Sequence, residues 1–586
     1  MRPAILLLII LFLIINLAVG ARAQQRSIDT TSVKPPGEEL QRELPQIQLE
    51  EYTIVGLARV TLPRKIRSQI FKDVKIQWSE NHRVWEKELP GIAFQFSRIK
   101  PSILRLYEFP WLDARACYGS FNTACFDIRS QFRLNKFLPY FAADFLDSDG
   151  HTSNAQYTIA NFLSGFYYQI ADGHLAQLGT QYHFGKRGIW RDWERFQTGW
   201  EVQSTFWNGF FGLENSWSRA FFTDLRGTYG VDVHENGFQY TDRGGEVTGG
   251  ARFQYHHTQL RAEFRAEMAD ISTEEGNLKF TSPDTVNLKD YEGTLLGGKI
   301  LVQQSLQMFS LQAGVLFQQS REKIRRNNRE DLERDYTYPH VSLTAGFGGW
   351  LKATVGYQPH MSLTRLQTLV SDLPFSEIAA IGMAEHQNHW QASAEIHFPP
   401  GAHLHISGSH ARMKNYPSVL QPTDSLPAVF PRGGYPGWQF GTINQLDLSE
   451  VKAKLQWALR TGLVFSAWAV VRRSEVAEIA DFSREIIGNK APYLADVSGE
   501  ARLKWNFYGP QMVWASLNYV GERYEDLANK NKLSDFLILN AGFEIELTEG
   551  FRLFMTGKNL LDKKYEEWQG FEEAGIHGHL GLRVVL

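Results

Sequence analysis

The sequence lacks several features that would place it in a common protein class. It has two cysteines in 586 residues, which excludes a small disulfide-rich scaffold. Its formal net charge is −3, so no basic field points to nucleic acid, and we expect no nucleic acid partner. After residue 23, no apolar run approaches the about 20 residues that a membrane-spanning helix needs. We therefore predict no helical span.

The short motifs of the large enzyme classes are also missing. There is no Gly-x-Ser-x-Gly, no His-Glu-x-x-His and no complete phosphate-binding Walker loop. Serine, histidine and aspartate are present without a catalytic context. We predict that the protein is not an enzyme and has no catalytic residues, no cofactor and no metal ion.

Residues 1–23 are typical of a secretory signal peptide. Arg2 supplies a positive start and an apolar run follows from Ala4 to Gly20. Ala21 and Ala23 offer small side chains at the two positions that a signal peptidase needs for cleavage before Gln24. The alternative is an uncleaved anchor helix, which the shortness of the run disfavours. Export would permit a disulfide between Cys117 and Cys125, and the small loop between them favours one. Two unpaired thiols remain the alternative.

The sequence is rich in aromatic residues, at 13%, and in stretches where apolar and polar residues alternate. In one such stretch Arg261, Glu263 and Arg265 alternate with apolar residues, and in another Lys452 and Lys454 do so. The pattern recurs at residues 259–268, 390–398, 451–459 and 499–507. A strand of a membrane barrel needs this period of two, with an apolar lipid face and a polar lumen face. The dense charge on the polar face favours a barrel over a soluble β-sandwich.

Short and long connections alternate along the chain. Short turns are predicted near residues 134–139, 172–173, 208–209, 257, 306–307, 348–349, 399–401, 461–462, 509–510 and 549–550. Long polar stretches lie between them, such as residues 269–288, 321–334, 363–385, 413–437 and 473–490. The pattern predicts an all-β fold, a transmembrane antiparallel β-barrel of about 22 strands over residues 100–586. Its first strand would be Ser102 to Phe109, with both chain ends in the periplasm.

The C-terminal part, from about Leu517 to Leu586, carries the most specific sequence signals. It contains Tyr519-Val520-Gly521-Glu522-Arg523-Tyr524, then Phe536 to Phe543, then Asn559-Leu560-Leu561-Asp562-Lys563-Lys564-Tyr565, and a closing strand with Leu580-Gly581-Leu582-Arg583. This stretch resembles the barrel of TonB-dependent outer-membrane receptors. The resemblance implies uptake of a small solute across the cell outer membrane. It departs from the family at the last residue, Leu586, where many outer-membrane barrels have an aromatic residue.

The resemblance also implies an N-terminal plug domain, and no recognisable plug is present. Residues 24–99 are predicted to form a periplasmic extension, in which residues 30–45 are a polar, Pro-rich linker. The segment Glu51, Tyr52, Thr53, Ile54 and Val55 looks like a TonB box, a short β-prone strand for a periplasmic partner, or like the lead-in to a plug. A short strand at the barrel mouth is the alternative for this segment.

Other candidate sites have ordinary alternatives. His403 with His405, and His577 with His579, each project to one face; we favour polar lumen residues over metal ligands. The charged stretch 321–334 indicates a solvated loop or a site for lipopolysaccharide phosphates, and the aromatic loop at 189–193 a membrane anchor or a sugar platform.

The leading functional hypothesis is a transport barrel with Arg261, Glu263, Arg265, Lys452 and Lys454 facing the lumen. The alternative is a non-transport scaffold or surface-binding protein that uses its long extracellular loops. Expected partners are outer-membrane lipid and lipopolysaccharide, the barrel assembly machinery, a TonB-like periplasmic protein and an unidentified small-molecule ligand.

Overall fold

The structure is a computed structural model. It describes residues 112–132, 134–152, 155–188, 201–218, 220–235, 239–274, 291–324, 332–363, 365, 377–378, 383–398, 401–420, 439–479, 486–508, 511–568 and 570–586. All of them belong to the larger of two compact units, residues 79–586. The predictions for residues 1–99, for Glu51 to Val55, for a first strand at 102–109 and for the aromatic loop at 189–193 lie outside the described residues. Within the described residues, no helix is long and apolar enough to cross a membrane.

The described chain is built almost wholly of β-strands. The first twelve are β1 (Leu112–Gly119), β2 (Thr123–Gln131), β3 (Phe137–Ser148), β4 (Tyr157–Ala171), β5 (His174–Gly188), β6 (Glu201–Ser216), β7 (Phe221–Glu235), β8 (Gln239–Tyr255), β9 (Thr258–Glu274), β10 (Tyr291–Leu306), β11 (Phe309–Ile324) and β12 (Leu332–Phe347). A 3-10 turn, Ser120–Asn122, joins β1 to β2.

The next strands continue the wall and add short pieces to its connections. They are β13 (Leu351–Tyr357), β14 (His360–Ser362), β15 (Glu377–Ile378), β16 (Ala384–Phe398), β17 (Ala402–Leu420), β18 (Gln439–Arg460), β19 (Leu463–Glu478), β20 (Val497–Tyr508), β21 (Gln511–Val520), β22 (Arg523–Tyr524), β23 (Lys532–Leu533), β24 (Phe536–Thr548), β25 (Phe551–Lys558), β26 (Glu566–Trp568), β27 (Phe571–Glu572) and β28 (His577–Val585).

The wall strands pair antiparallel with their neighbours, and the last strand pairs with the first. β28 pairs with β1 from Asp113↔Val585 to Gly119↔His579. β13 and β14 both pair with β16 and form one position in the wall, whereas β15 adds a short parallel pairing to β18. The pairs β22–β23 and β26–β27 are separate small hairpins. The predicted all-β fold, a closed antiparallel barrel of about 22 strands, is confirmed.

Both ends of the described chain lie at one rim, which we call the terminal rim. Leu112 and Leu586 exchange two backbone hydrogen bonds, of 3.3 and 2.9 Å. Most of the short turns face this rim, and several use glycine in the left-handed region, as at Gly173 (φ 81°) and Gly462 (φ 80°). The Ser120–Asn122 turn lies at the opposite rim. The opposite rim, which carries the longer connections, is called the loop rim.

One predicted turn is wrong. Asn208 and Gly209 lie inside β6, where Asn208 pairs with Gln181 and with Gly230 of the two neighbouring strands. The chain turns instead after Ser216, where the Ser218 hydroxyl accepts backbone hydrogen bonds from the residues that follow it. A side chain that caps a turn competes well with the Asn-Gly dipeptide, which is only a local preference.

The predicted long loops are shorter than expected, because strand pairing continues into their polar sequence. β9 extends to Glu274, β11 to Ile324, β17 to Leu420 and β19 to Glu478, within stretches predicted as loops. Backbone pairing does not depend on an apolar face, so alternation marks only the part of each strand that faces lipid.

The two faces of the wall differ in polarity as the alternation predicts. On β9, Leu260, Phe264 and Met268 are 46 to 49% exposed on one face. Arg261 and Arg265 occupy the other face, since successive side chains alternate across a strand. Because a closed barrel has an outer and an inner surface, exposed apolar residues mark the outer surface, and the charged face is the inner wall.

Candidate functional site: the barrel interior and its loop-rim mouth

The inner wall of β8, β9 and β10 carries a ladder of ion pairs. Arg265 lies 3.1 Å from Glu246 of β8, and Lys299 of β10 lies 3.9 Å from Glu263. Arg261 also pairs with Glu263 on its own strand. The structure thus pairs Arg261 and Lys299 with Glu263, and Arg265 separately with Glu246, in two neighbouring sets across three strands.

A second ion-pair group lies on β18 and β19. Glu450 accepts from Lys452 at 2.6 Å and from the Nε of Arg472 at 2.6 Å. Lys454 lies two residues further along β18, on the same face as Lys452, and is in register with His405 of β17. The five predicted lumen residues therefore fall into two separate groups rather than one site.

The seam between β28 and β1 is held by a third network, which the sequence did not reveal. The Arg583 guanidinium donates to Asp113 of β1 at 2.9 and 2.7 Å and to Glu544 of β24 at 3.1 Å. Arg552 of β25 donates to the same Glu544 at 2.8 Å. Such bidentate pairs fix geometry as well as charge.

Next to this seam, Cys117 and Cys125 are joined by a disulfide, with Cα atoms 4.9 Å apart. The two residues are direct register partners in the β1–β2 hairpin. Cys117 also faces Gly581 of β28. The bond therefore ties the two arms of one hairpin together and does not cross the seam.

The predicted histidine pairs lie on wall strands. His403 lies against His397, with their Nδ1 atoms 2.6 Å apart. The rings of His577 and His579 are 6.1 Å apart. Among the residues that the structure describes, no group of three or more His, Cys, Asp or Glu side chains is arranged to hold a metal ion.

The segment after β13 begins as the wall strand β14, paired with β16, and its residues also contact the inner faces of β11 and β8. We call residues His360–Leu363 together with Arg365 the strap. Met361 exchanges two hydrogen bonds with the Gln318 side chain of β11, its N–H donating at 2.7 Å and its carbonyl accepting at 3.2 Å. Further along, Arg365 donates to Asp242 of β8 at 2.8 Å. The described strap residues therefore contact the inner faces of both β11 and β8.

The strap contributes to a buried apolar cluster at the loop-rim mouth, which we call the mouth cluster. Met361 and Leu363 pack there with residues of the surrounding strands and with Phe571 of β27. The other buried members are Val202, Tyr240, Ala269, Ile271, Tyr291, Leu295, Tyr338 and Met383. Burial of these apolar side chains stabilises the packing of the loop-rim segments, at about 25 cal/mol per Å² removed from water.

Phe571 reaches the mouth cluster on a loop that is shaped by the most specific sequence signal. Asn559, which is 2% exposed, donates to the carbonyls of Lys563 and Ala574 at 2.8 and 3.0 Å and accepts from the Lys563 N–H at 2.9 Å. Asp562 accepts from the Ile576 N–H at 2.9 Å. Both Asn559 and Asp562 adopt φ of 46°, a conformation that asparagine and aspartate tolerate. The Asn-Leu-Leu-Asp motif thus orients the β26–β27 hairpin.

Other outer segments are bonded to that hairpin. The Arg523 guanidinium donates to the carbonyls of Glu566 and Glu567 at 2.7 and 2.9 Å. The Tyr493 N–H donates to the Tyr524 carbonyl at 2.7 Å, and the Tyr493 ring lies 4.3 Å from the Trp568 ring. Burial lowers the pKa of Arg523, which lies outside the wall strands. The connections after β19, β21 and β25 therefore act as one assembly.

Little in the sequence indicates the strap or its anchors. Gln318 and Asp242 are polar residues in strands whose alternation already predicts an inner polar face. Nothing in their spacing separates an anchor from any other lumen residue. The predicted loop 363–385 contains or adjoins three buried apolar residues, Met361, Leu363 and Met383. Apolar residues in a loop indicate that part of it packs inward.

No family model matches the sequence, and no curated protein matches it. Solved structures do match. The siderophore receptor PiuA from Acinetobacter baumannii is 11% identical, with 81% of each chain covered and a TM-score of 0.60. The chain has the barrel fold of the TonB-dependent receptors.

Two further structures show the same fold. The FrpB iron transporter from Neisseria meningitidis (F5-1 variant) is 10% identical, with 82% of this chain and 84% of that chain covered and a TM-score of 0.63. The copper transporter OprC is 12% identical, with 82% and 80% covered and a TM-score of 0.61. The resemblance seen in the C-terminal sequence therefore holds for the fold of the whole barrel.

Proposed function

We propose that the protein takes up a small solute across the cell outer membrane, with the loop rim outside and the terminal rim in the periplasm. The observation that carries the proposal is the combination of a closed barrel, charged groups on its inner wall and a buried apolar cluster at the loop rim. An apolar outer surface suits lipid, and a polar lumen suits a hydrated solute. A protein that only displayed loops would gain nothing from a charged lumen.

The similar solved structures support this assignment by what their names say. They are a siderophore receptor, an iron transporter and a copper transporter. They favour a transporter over an enzyme. The lumen groups Arg261, Glu263, Arg265, Lys452 and Lys454 would then set which charged solutes pass, because a narrow lined path selects by electrostatics.

Energy coupling is proposed to use the Glu51 to Val55 segment. A β-prone strand on a periplasmic extension can pair with an edge strand of a TonB-like protein. Residues 1–23 would be removed on export, and residues 24–99 would remain periplasmic. The barrel assembly machinery and lipopolysaccharide are the proposed partners of residues 100–586.

The test compares cells that express the full chain with cells that lack it. Untargeted mass spectrometry of the spent medium measures which solutes are depleted faster when the protein is present. We expect a small set of depleted solutes, and we expect deletion of residues 51–55 to abolish the depletion. Deletion of residues 38–42, in the polar linker, is the matched control and should leave it unchanged.

Two outcomes contradict the proposal. If the protein fractionates with the outer membrane but no solute is depleted, uptake is wrong and a scaffold role replaces it. If depletion survives the loss of residues 51–55, uptake stands and coupling through this segment is wrong.

A further inference from the structure

A row of side chains crosses the inner wall from β3 to β6. Asp144 of β3, Asn161 of β4, His183 of β5 and Phe206 of β6 are register partners, each with the next. Register partners share one face of a sheet, and the exposed Tyr182, next to His183 on β5, lies on the other face. The row therefore faces the lumen.

Hydrogen bonds along this row fix which nitrogen of the His183 ring carries the proton. The Asn161 amide donates its Nδ2–H to the Asp144 carboxylate at 2.6 Å, so its Oδ1 is left as the acceptor. His183 Nδ1 lies 2.5 Å from that Oδ1 and is therefore the donor. The ring is 2% exposed and hydrogen bonds to a neutral amide, which favours an uncharged imidazole. Its other nitrogen, Nε2, then carries the lone pair and accepts hydrogen bonds.

This nitrogen faces a space that a glycine leaves open. Within the described part of the chain, no hydrogen-bond partner reaches His183 Nε2. A Cβ at Gly185, two residues further along β5, would lie 3.1 Å from that Nε2 and 3.1 Å from the hydroxyl oxygen of Ser204. Ser204 lies on β6 directly opposite Gly185. We call the space of the missing Gly185 side chain the Gly185 notch.

The notch has room for one polar atom of a ligand. A distance of 3.1 Å is within the usual range for hydrogen bonds to oxygen and nitrogen, so a ligand atom at the position of the missing Cβ would bond both side chains. Ser204 is partly exposed, which gives the notch an opening to the lumen. Buried polar atoms in folded proteins are nearly always hydrogen-bonded, so an open acceptor at His183 Nε2 requires an explanation.

The hydrogen-bonding groups of the notch define the ligand chemistry. A hydroxyl can donate to His183 Nε2 and accept from the Ser204 hydroxyl, and an ammonium can donate to both. A carboxylate or phosphate oxygen carries no proton and cannot bond to Nε2. Arg187, next on this face of β5, interacts with the charges of Glu567 and Glu573 and is thereby compensated. The notch therefore favours a donor group over an anion.

The notch lies next to the mouth cluster. Val202, a member of that cluster, is two residues from Ser204 on β6 and shares its face. A solute that enters from the loop rim would therefore meet the notch just inside the mouth cluster.

We propose that the Gly185 notch is a solute-recognition site that binds a hydroxyl or ammonium group through His183 Nε2 and the Ser204 hydroxyl. Asn161 is a positioning residue, since it sets the proton on His183 without reaching the notch. The inference rests on the proposed uptake function, to which it adds the chemical class of the solute.

Crystal soaking with bromine-labelled probes tests the site directly. Crystals of the protein are soaked in bromopropanol, bromopropylammonium or bromopropionate, and the anomalous signal of bromine locates each probe. We expect a bromine peak beside Gly185 for the alcohol, the ammonium or both, and none for the carboxylate. The two donor probes distinguish a hydroxyl ligand from an ammonium ligand.

Gly185→Ala fills the notch and keeps both polar side chains, and the backbone there is not in the left-handed region. It should remove the peaks. The matched control is Gly297→Ala on the inner face of β10, where a Cβ meets its nearest atom at an ordinary 3.6 Å. It should leave them unchanged. Asn161→Leu releases the His183 proton from Nδ1, so that Nε2 can carry it, and should allow bromopropionate to bind.

The same variants are compared in the uptake assay. Gly185→Ala and His183→Phe should slow solute depletion about tenfold, which corresponds to the loss of one or two hydrogen bonds of ordinary strength. Gly297→Ala should behave like the unaltered protein. The depleted solutes should carry a hydroxyl or amine group.

The proposal is overturned if neither donor probe gives a peak at the notch, if a peak survives Gly185→Ala, or if bromopropionate binds equally well to the unaltered protein. An ordered water alone would then fill the notch. The expected peaks without any solute depletion would keep the binding site and refute uptake. Depletion that Gly185→Ala does not slow would leave uptake standing and refute recognition at the notch.

Discussion

The seam of the barrel offers the sharpest stability prediction, through Arg583. Its guanidinium joins β28 to Asp113 of β1 and to Glu544 of β24, and its side chain is 11% exposed. We expect Arg583→Met, which keeps the aliphatic stem, to lower the free energy of unfolding by about 3 to 5 kcal/mol. The reason is that a buried carboxylate, Glu544, and a partly buried one, Asp113, lose their shared cation at the place where the two ends of the sheet meet.

The magnitude can be divided between the two acceptors. Glu544 keeps a partner, because Arg552 still donates to it at 2.8 Å. Asp113 loses two hydrogen bonds, of 2.9 and 2.7 Å. Arg115 still interacts with the Asp113 charge, but none of the described hydrogen bonds joins the two side chains. Most of the loss should therefore come from Asp113. Adding Asp113→Asn to Arg583→Met should restore about 1 to 3 kcal/mol, since it removes the stranded charge.

The assay is urea unfolding in detergent, followed by the fluorescence of the 16 tryptophans. Arg473→Met is the control, because Arg473 is 81% exposed and lies 3.4 Å from Glu475. We expect the control to cost less than about 1 kcal/mol. The reasoning is refuted if Arg583→Met behaves like the control, or if Asp113→Asn makes the Arg583 variant still less stable.

Two further substitutions test close packing and the C-terminal motif. Gly581→Ala would place a Cβ 2.3 Å from the Ala116 carbonyl oxygen and 2.6 Å from the Phe554 ring, so we expect a loss of more than about 2 kcal/mol in the same unfolding assay. Gly298→Ala, with nothing within 4 Å of its Cβ, should be neutral; equal effects of the two would contradict the packing argument. Asn559→Ala should cost about 2 to 4 kcal/mol, through lost buried hydrogen bonds and an unfavourable φ, and should speed hydrogen exchange in residues 559–576. The exposed Leu561→Ala is its control, and unchanged exchange in the Asn559 variant would show that the motif does not hold the hairpin.

Alternation and turn chemistry predicted the barrel, its strand number and the common rim for the short turns, because the lipid face and the tight turns are local constraints. The error at Asn208-Gly209 shows where local preference ends, since a strand continues through that dipeptide when both neighbours pair with it. The sequence pattern also ends the strands too early at the loop rim. Alternation stops at residue 268 in β9, whereas the strand extends to Glu274.

The interior was less predictable than the wall. Arg261, Glu263 and Arg265 could be placed on one face by counting along a strand, but their partners on β8 and β10 depend on register, which a single sequence does not reveal. Arg365 and Asp242 are 123 residues apart and meet only because the chain after β14 brings Arg365 to the inner face of β8. Contacts of this kind depend on the path of a connection, for which polarity patterns carry no information.

The disulfide has a consequence for how the barrel closes. Because it links Cys117 to Cys125 within the first hairpin, the covalent loop leaves out β28, which meets β1 through register pairs and ion pairs alone. The disulfide can therefore form within the β1–β2 hairpin before β28 has paired. The hairpin then presents the edge of β1, with which β28 pairs to close the barrel. Hydrogen bonds close the sheet between β28 and β1, whereas the disulfide does not cross that seam. Reduction would therefore loosen the β1–β2 hairpin without opening the barrel.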